Sequence, residues 1–237
     1  MLFQNAKCKK CNHTNPVYKS ICENCKSYLR ERIVNIDLWN TIQLLIEEPS
    51  KAFKLILFAE HKNFILILTL LIGIKNLILA RFFSVPQLGL NGVESSFIVS
   101  LILIEIITFL LLIIFSSIIK NLYTHRRLQL RFKDIYSVTV YSFVPYLFAL
   151  VFIFPVELVV LGGDIFSNNP YPFQIKPLIT YILIAFELLC ILWSFYLMYR
   201  VNFILTSVRL PASIISTFYS IIWFITLLLI SKLVFTI

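Results

Sequence analysis

Long apolar stretches separated by short polar segments make up most of the sequence after residue 63. Five of these stretches run for about 20 residues or more, which is the length of helix needed to cross a hydrocarbon layer of about 30 Å. They cover residues 64–83, 97–119, 135–161, 178–199 and 214–237. We therefore predict an all-α integral membrane protein with a bundle of five transmembrane helices, the third kinked at Pro145 and Pro155.

A polar head precedes the first apolar stretch. Residues 1–33 contain four of the five cysteines, and residues 34–63 show two short amphipathic patterns separated at Pro49. Asp37 is placed to cap the first of these helices, and Pro49 suits the first turn of the second. Each helix is too short to span a bilayer, so we expect both to lie on the headgroup layer. The chain then divides into a zinc-ribbon-like module over 1–33, interfacial helices over 34–63 and a five-span domain over 64–237.

The composition agrees with this division. The chain is 59% apolar and has a mean hydropathy of +0.87, which is more apolar surface than one soluble core of this length would bury. The first 60 residues are polar and basic, which argues against a cleavable signal peptide. We therefore expect the N-terminus to lie in the cytosol.

The formal net charge of +9 would favour a nucleic-acid partner in a soluble protein, but its distribution indicates membrane topology instead. Of the 21 lysines and arginines, seventeen fall on the polar segments that would share one side of the membrane and two on the other. The positive-inside rule then places the N-terminus in the cytosol and the C-terminus outside. The membrane would be the cytoplasmic membrane of a prokaryote, or the ER or Golgi membrane of a eukaryote. The second loop carries a basic cluster, which consists of Lys120, Arg126, Arg127, Arg131 and Lys133.

The strongest local signal is a pair of Cys-x-x-Cys motifs, formed by Cys8, Cys11, Cys22 and Cys25. Four thiolates complete the closed tetrahedron of a structural zinc site, and a reducing cytosol disfavours disulfides. We predict one structural Zn²⁺ per chain, with His13 outside the coordination shell. Another metal, or a redox use of the thiols, is the alternative. Metal binding would supply most of the stability of so small a module.

Ionisable residues within the apolar stretches are the second group of candidates, because each costs about 2.5–3.5 kcal/mol to insert. They are Lys75, Glu105, Glu157, Glu187 and Lys232. Their depths predict an ion pair between Lys75 and Glu105 that faces the bundle interior, with Glu157 and Lys232 near the outer ends of their helices. A structural ion pair is the simplest interpretation. A proton, ion or lipid pathway through Lys75, Glu105 and Glu187 is the alternative.

A catalytic arrangement is not evident from the sequence. All three histidines lie outside the apolar stretches, so neither an HExxH motif nor a Ser–His pair is available there. Cys190 follows Glu187 by one turn without an accompanying base, and its role stays open. We therefore predict a non-enzymatic protein. Its expected partners are membrane lipids, a cytosolic protein and, as a further option, a second copy of the chain, whereas nucleic acid is disfavoured because aromatic stacking surface is scarce.

Several short motifs resemble those of the Ypt-interacting-protein (Yip) family. The motifs are Ile36-Asp37-Leu38-Trp39, Glu48-Pro49-Ser50-Lys51-Ala52-Phe53 and Tyr141-Ser142-Phe143-Val144-Pro145. The likeness covers about residues 34–237 and follows the order of the amphipathic helices and five spans. It implies a non-enzymatic membrane protein, and the zinc-ribbon head is typical of prokaryotic members. Eukaryotic relatives are associated with Rab-type GTPases and vesicle traffic, but no residue here can be assigned as a GTPase contact.

The Arv-type lipid-homeostasis proteins give a second resemblance, since they also place paired Cys-x-x-Cys motifs before membrane spans. The two motifs lie closer together here than in that family, and residues 26–32 lack its acidic signature. We therefore expect a membrane scaffold or adaptor whose zinc module and basic loop dock a cytosolic partner. A transporter or an Arv-like lipid-handling protein is the alternative.

Overall fold

The computed structural model describes residues 6–16, 19–29, 33–82, 97–125, 130–166 and 172–235. Over these ranges the chain is mostly helical, and its sheet consists of two short antiparallel strands, β1 (Ala6–Lys7) and β2 (Thr14–Asn15). The helices are α1 (Leu38–Glu47), α2 (Pro49–Phe58), α3 (Ile65–Phe82), α4 (Phe97–His125), α5 (Phe132–Tyr141), α6 (Val144–Phe148), α7 (Phe154–Leu161), α8 (Pro172–Ile175), α9 (Pro177–Thr206) and α10 (Arg209–Phe235). The predicted all-α class is confirmed.

Four helical segments of the described chain are long and apolar enough to cross a membrane. They are Ile98–Tyr123, Val144–Leu161, Pro177–Thr206 and Arg209–Ser231. A shorter apolar helix, Ile65–Ala80, lies where the first of the five spans was expected. The structure thus supports membrane insertion through four helices, and the fifth span stays a prediction.

The chain forms two compact units. The first unit comprises Met1–Leu66, Leu111–Ser142 and Leu197–Ser216. The second comprises Ile67–Leu110, Phe143–Tyr196 and Thr217–Ile237. The paired cysteines belong to the first unit, whereas Lys75, Glu105 and Glu187 belong to the second.

The amphipathic helices of the first unit begin where the sequence predicted. Asp37 caps α1, because its Oδ1 accepts a hydrogen bond from the backbone N–H of Asn40 at 3.2 Å. Pro49 occupies the first turn of α2, where its missing N–H has no helical partner to lose. The apolar face of α2 is buried, and this helix packs against α1 and α5.

The predicted third span, 135–161, is interrupted. α5 ends at Tyr141, α6 begins at Val144 with Pro145 in its first turn, and a π-helical turn over Ala149–Ile153 precedes α7. Proline removes a backbone donor and its ring clashes with the preceding turn, so the break at Pro145 has a local cause. In the second unit the N–H of Tyr146 donates to the Ser194 hydroxyl at 2.9 Å. This bond satisfies a backbone group at the break, as an apolar surrounding requires.

An aromatic cluster fixes α6 within the second unit. Phe143 lies against Tyr146, Tyr219 and Trp223, with ring centroids 6.0, 5.9 and 4.5 Å away. Tyr146 and Tyr219 are fully buried. The cluster therefore holds Tyr146 in a single position, which matters because its ring lies next to Lys75.

Candidate metal centre and buried polar site

The four predicted zinc ligands come together in the first unit. Their sulfur atoms all lie within 4.8 Å of one another, and the Sγ–Sγ distances Cys8–Cys25 and Cys11–Cys22 are both 3.5 Å. A tetrahedron of thiolates with Zn–S bonds of about 2.3 Å has edges of about 3.8 Å. The cluster therefore has the dimensions of a tetrathiolate metal site, and zinc as the metal stays a prediction.

The two cysteine motifs fold in the same way. Asn12 and Lys26, each directly after the second cysteine of its motif, both have φ = 56°. Their N–H groups donate back to the carbonyls of Cys8 and Cys22, at 2.9 and 3.1 Å. The repeated left-handed turn directs both thiols of a motif to one side. This conformation is unfavourable for L-residues other than glycine, and asparagine tolerates it better than lysine does.

The Ser27 hydroxyl lies between two of the sulfur atoms. Its Oγ is 3.1 Å from the Sγ of Cys8 and 3.0 Å from the Sγ of Cys25. This hydrogen bond, followed by one from the Cys11 backbone N–H, lowers the pKa of the Cys8 thiol to about 6. The thiolate is the form that binds metal, so Ser27 stabilises a ligand-competent state.

Asn15 braces the second cysteine motif from within the module. It is buried, and its Nδ2 donates to the carbonyl of His13 at 2.9 Å and to the Sγ of Cys22 at 3.5 Å. Its Oδ1 accepts the N–H of Glu23 at 2.9 Å. Sequence reasoning missed Asn15 and Ser27. The signal for Ser27 was its position two residues after Cys25, which corresponds to the position of His13 in the first motif.

The cysteine module is attached to the segment that follows α2. The Ser20 hydroxyl donates to Glu60 at 3.2 Å, and the N–H groups of Glu60 and His61 donate to the carbonyls of Ile33 and Val34, both at 2.9 Å. His13 is exposed and lies outside the cluster of sulfurs, in agreement with its predicted position. The fold of the module is thus coupled to the segment that leads into α3.

A buried ion pair that the sequence analysis did not predict lies at the end of α2 in the first unit. The Nζ of Lys62 is 3.1 Å from the Oδ1 of Asp134, and both side chains are fully buried. Lys62 also donates to the carbonyls of Ile56 and Leu57, the latter at 2.9 Å. These carbonyls belong to the last turn of α2 and lack helical donors. Burial lowers the pKa of Lys62 to about 8, although the charge of Asp134 opposes this shift.

Asp134 also binds Arg131, which belongs to the predicted basic cluster of the second loop. Arg131 donates from Nε and Nη2 to Asp134 at 3.1 and 3.2 Å, so its charge is engaged within the unit. Lys133 is exposed and Lys120 is half-buried. The other members, Arg126 and Arg127, lie outside the described residues.

The predicted pair between Lys75 and Glu105 is wrong, because Lys75 forms its ion pair with Glu187. Lys75 is 1% exposed and Glu187 is 6% exposed, and the ammonium donates to the Oε1 of Glu187. The carboxylate of Glu105 lies directly against Gly73, where an added Cβ would clash with it. Residues two apart on a helix face different directions. Position along a helix predicts the depth of Lys75 but not the face of α3 on which Lys75 lies.

Glu157 is buried beside this pair and lies four residues before the end of α7 at Leu161, so its expected place near the end of its helix agrees with the structure. Its residue is 4% exposed, and its carboxyl group lies within electrostatic range of both Glu187 and Lys75. All three charged residues line one cavity of about 210 Å³ in the second unit. Glu187 Oε2 has no hydrogen-bond partner, and among the described residues Glu157 has neither a hydrogen bond nor an ion pair through its side chain.

Neutral polar groups form a hydrogen-bonded chain next to Lys75. Tyr146 donates its hydroxyl to the Oδ1 of Asn76 at 2.7 Å, and Asn76 donates to Thr108 at 2.9 Å. The Nζ of Lys75 is 6.0 Å from the centre of the Tyr146 ring. Sequence reasoning missed Asn76 and Tyr146. The signal for Asn76 was a second polar residue directly after Lys75 in an otherwise apolar stretch.

Two candidates from the sequence analysis remain. Cys190 is half-buried in the second unit, and its carbonyl accepts a hydrogen bond from Ser194 at 3.0 Å. The side chain of Lys232 lies outside the described residues. Cys190 is not among the described residues that line the cavity around Lys75.

Comparison with known proteins gives no match to a family model, a curated protein or a solved structure. The fold and the sites define the class: an all-helical protein with membrane-length helices and a four-cysteine cluster able to hold a metal ion. The resemblances to the Yip and Arv families stay predictions.

Proposed function

We propose that this chain is a non-enzymatic membrane scaffold or adaptor of the Yip type, whose N-terminal module holds one structural Zn²⁺ and docks a cytosolic protein. The observation that carries the proposal is the four-cysteine cluster with its dimensions of a tetrathiolate site. Four thiolates close the coordination shell of zinc and leave no position for a substrate. The lysines around the cluster, Lys7, Lys9, Lys10 and Lys26, are exposed.

The orientation follows from the distribution of charge. With seventeen lysines and arginines on one side and two on the other, the module and the N-terminus face the cytosol and the C-terminus lies outside, after five spans that include α3. Trp39 on α1 is 79% exposed and Ile46 is 51% exposed. Large apolar side chains on a short amphipathic helix support its placement on the membrane surface.

The docking surface consists of the module and the exposed part of the basic loop. A groove of about 520 Å³ in the first unit borders the module and is lined by Lys19, Ile21, Lys26, Phe58 and Glu60, among others. Lys133 is exposed, and it joins this surface in the proposal. Arg131 also lines the groove, and its guanidinium forms an ion pair with Asp134.

A pull-down from detergent tests the adaptor function. Full-length protein and a Cys22→Ser/Cys25→Ser variant are compared as baits, with Cys190→Ser as the matched control for loss of a cysteine outside the cluster. We expect one set of cytosolic proteins to be recovered with the wild type and the control and lost with the double variant. Recovery of the same set by all three baits would contradict docking through the metal module.

A second candidate function is supported by the cavity of the second unit. It encloses Lys75, Glu157 and Glu187 among apolar side chains, which favours a transporter or lipid-handling protein. Buried ionisable groups at membrane depth commonly mark substrate or ion pathways. Glu105, which the sequence analysis included in this pathway, does not line the cavity.

A further inference from the structure

We propose that the cavity in the second unit binds a primary ammonium group carried on a small apolar body. This inference rests on the second candidate function, ligand handling by the cavity, and names its ligand class. Its evidence consists of the unbalanced charge of the cavity, the unused acceptors in it and the composition of its wall.

The charged side chains of the cavity do not balance. Lys75 supplies one positive charge, which Glu187 engages, and Glu157 adds a second carboxylate. A carboxylate nine-tenths buried in apolar surroundings is strongly disfavoured unless a proton or a cation compensates it. A cationic ligand next to Glu157 would compensate its charge and remove this penalty.

Carboxylate oxygens without a hydrogen-bond partner line the cavity. They are the Oε2 atom of Glu187 and the carboxyl group of Glu157. A primary ammonium carries three donors, which matches three carboxylate oxygens. Calcium takes six to eight oxygen ligands, and magnesium requires an octahedral shell, so this set is too small for either ion. An anionic ligand would lack a free cation, since Lys75 is engaged.

The other residues that line the cavity are apolar and favour a ligand with an apolar body. The remaining lining residues are Ile78, Leu79, Ile184, Leu188, Ile191 and Phe224. An apolar cavity of about 150 Å³ accommodates benzene, so the volume of about 210 Å³ leaves room for a ring with a short amine-bearing chain. Leu188 is 48% exposed, which places one side of the cavity at the surface of the unit. A ligand can enter there.

Two sources offer this chemistry: a free amphipathic amine, or the headgroup of an aminophospholipid with the adjoining part of its chains. Both present a primary ammonium next to apolar groups. The proposal concerns that shared group, and the experiment separates the sources.

The test measures binding of phenethylamine to the full-length protein in phosphatidylcholine nanodiscs by calorimetry, with empty nanodiscs as the blank. Phenethyl alcohol and phenylacetate, which have a similar body without the ammonium, serve as matched ligands. We expect saturable binding of the amine, and binding weaker by about tenfold or more for the other two, because charge-assisted hydrogen bonds are the stronger ones. Replacing part of the phosphatidylcholine by phosphatidylethanolamine weakens amine binding if the lipid headgroup is the natural source, and leaves it unchanged if a free amine is.

Variants sharpen the same test. Glu157→Gln removes the unpaired carboxylate and keeps its size, so we expect amine binding to weaken by about tenfold or more. Glu105→Gln, in the same unit but outside the cavity, should bind as the wild type does. If Glu157→Gln does not fold, the ligand series on the wild type decides alone.

Four results would overturn the proposal. Equal binding of the amine and the alcohol, or unchanged amine binding to folded Glu157→Gln, would show that the carboxylate takes no part. Binding of phenylacetate alone would refute the ammonium class but leave ligand handling standing. Absence of saturable binding for all three ligands would overturn ligand handling as well.

Discussion

Each of the two units buries a lysine–carboxylate pair, and the two pairs differ in how completely their polar atoms are satisfied. In the first unit Lys62 contacts Asp134 and two backbone carbonyls, and both oxygens of Asp134 accept hydrogen bonds. In the second unit the pair of Lys75 and Glu187 leaves one oxygen without a partner and has a further carboxyl group, that of Glu157, close by.

The difference separates a structural ion pair from a candidate binding site. All the acceptors around Lys62 already have hydrogen-bond partners. A substitution there therefore removes a hydrogen bond and creates no group that could bind a ligand. Buried polar atoms without partners are uncommon in native structures, and each calls for an explanation. Next to a cavity, the natural explanation is a ligand.

The largest effect is expected at the saturated pair. Lys62→Met leaves the charge of Asp134 and the last carbonyls of α2 without their donor, and it should lower the free energy of unfolding by about 3–5 kcal/mol. Denaturant unfolding in detergent measures this. The control is Lys51→Met, whose ion pair with Glu48 is exposed with an N–O distance of 3.9 Å and should contribute within about 0.5 kcal/mol. Similar losses for both variants would contradict the structural role of Lys62.

The pH dependence of unfolding gives the next largest effect. Burial lowers the pKa of Lys62 to about 8 from an ordinary value of 10.5. Between these two values the unfolded chain holds a proton that the folded chain has released, so the free energy of unfolding rises with pH, by up to about 3 kcal/mol. Below pH 8 both states are protonated, and this contribution is constant. Unfolding curves from pH 7 to 10.5 should show the rise in the wild type and not in Lys62→Met. Parallel profiles would show that Lys62 titrates normally.

Substitution in the Lys75–Glu187 pair should lower the free energy of unfolding by less. Lys75→Met leaves Glu187 facing a cavity in which it can take up a proton, so we expect a loss of about 1–3 kcal/mol. Adding Glu187→Gln should recover part of this loss, whereas Glu105→Gln should add its own effect independently, within about 0.5 kcal/mol. A double-mutant cycle by thermal unfolding measures both couplings. Coupling of Lys75 to Glu105, and not to Glu187, would restore the pairing predicted from the sequence.

The smallest effect concerns the cysteine turns of the first unit. Lys26 has φ = 56°, which disfavours a lysine, so Lys26→Gly should stabilise the module by up to about 1 kcal/mol. The readout is the chelator concentration at which half of the metal is lost. Asn12→Gly has the same φ but replaces a residue that already tolerates it, and should change this midpoint less. A lower midpoint for Lys26→Gly would show that the lysine side chain itself supports the site.

The sequence predicted the features that depend on local spacing. The four cysteines converge because each Cys-x-x-Cys motif forms a tight local turn. Asp37 caps α1, Pro49 begins α2 and Pro145 interrupts the third span, and each of these effects is local to the residue. Features that depend on which helix faces meet were not predictable. Lys75 and Glu187 are 112 residues apart, and hydropathy fixes the depth of each along its helix but not the direction in which it points.

The burial of Lys62 and Asp134 could not be predicted from the sequence either. Both lie in polar connecting segments of the sequence, where a solvated position is the usual expectation for charged residues. They are buried because α2 packs against α5, and the sequence contains no periodic signal for that contact. The roles of Asn15 and Ser27 were not predicted either, because small polar residues near cysteines are common in loops.

The most direct test of the metal centre, on which the proposed function rests, is the zinc content of the purified full-length protein. Elemental analysis under reducing conditions should give one zinc ion per chain for the wild type and for Cys190→Ser. The Cys8→Ser/Cys22→Ser variant, which removes one ligand from each motif, should contain almost none. A zinc content near zero in the wild type, or an unchanged content in the double variant, would contradict the account.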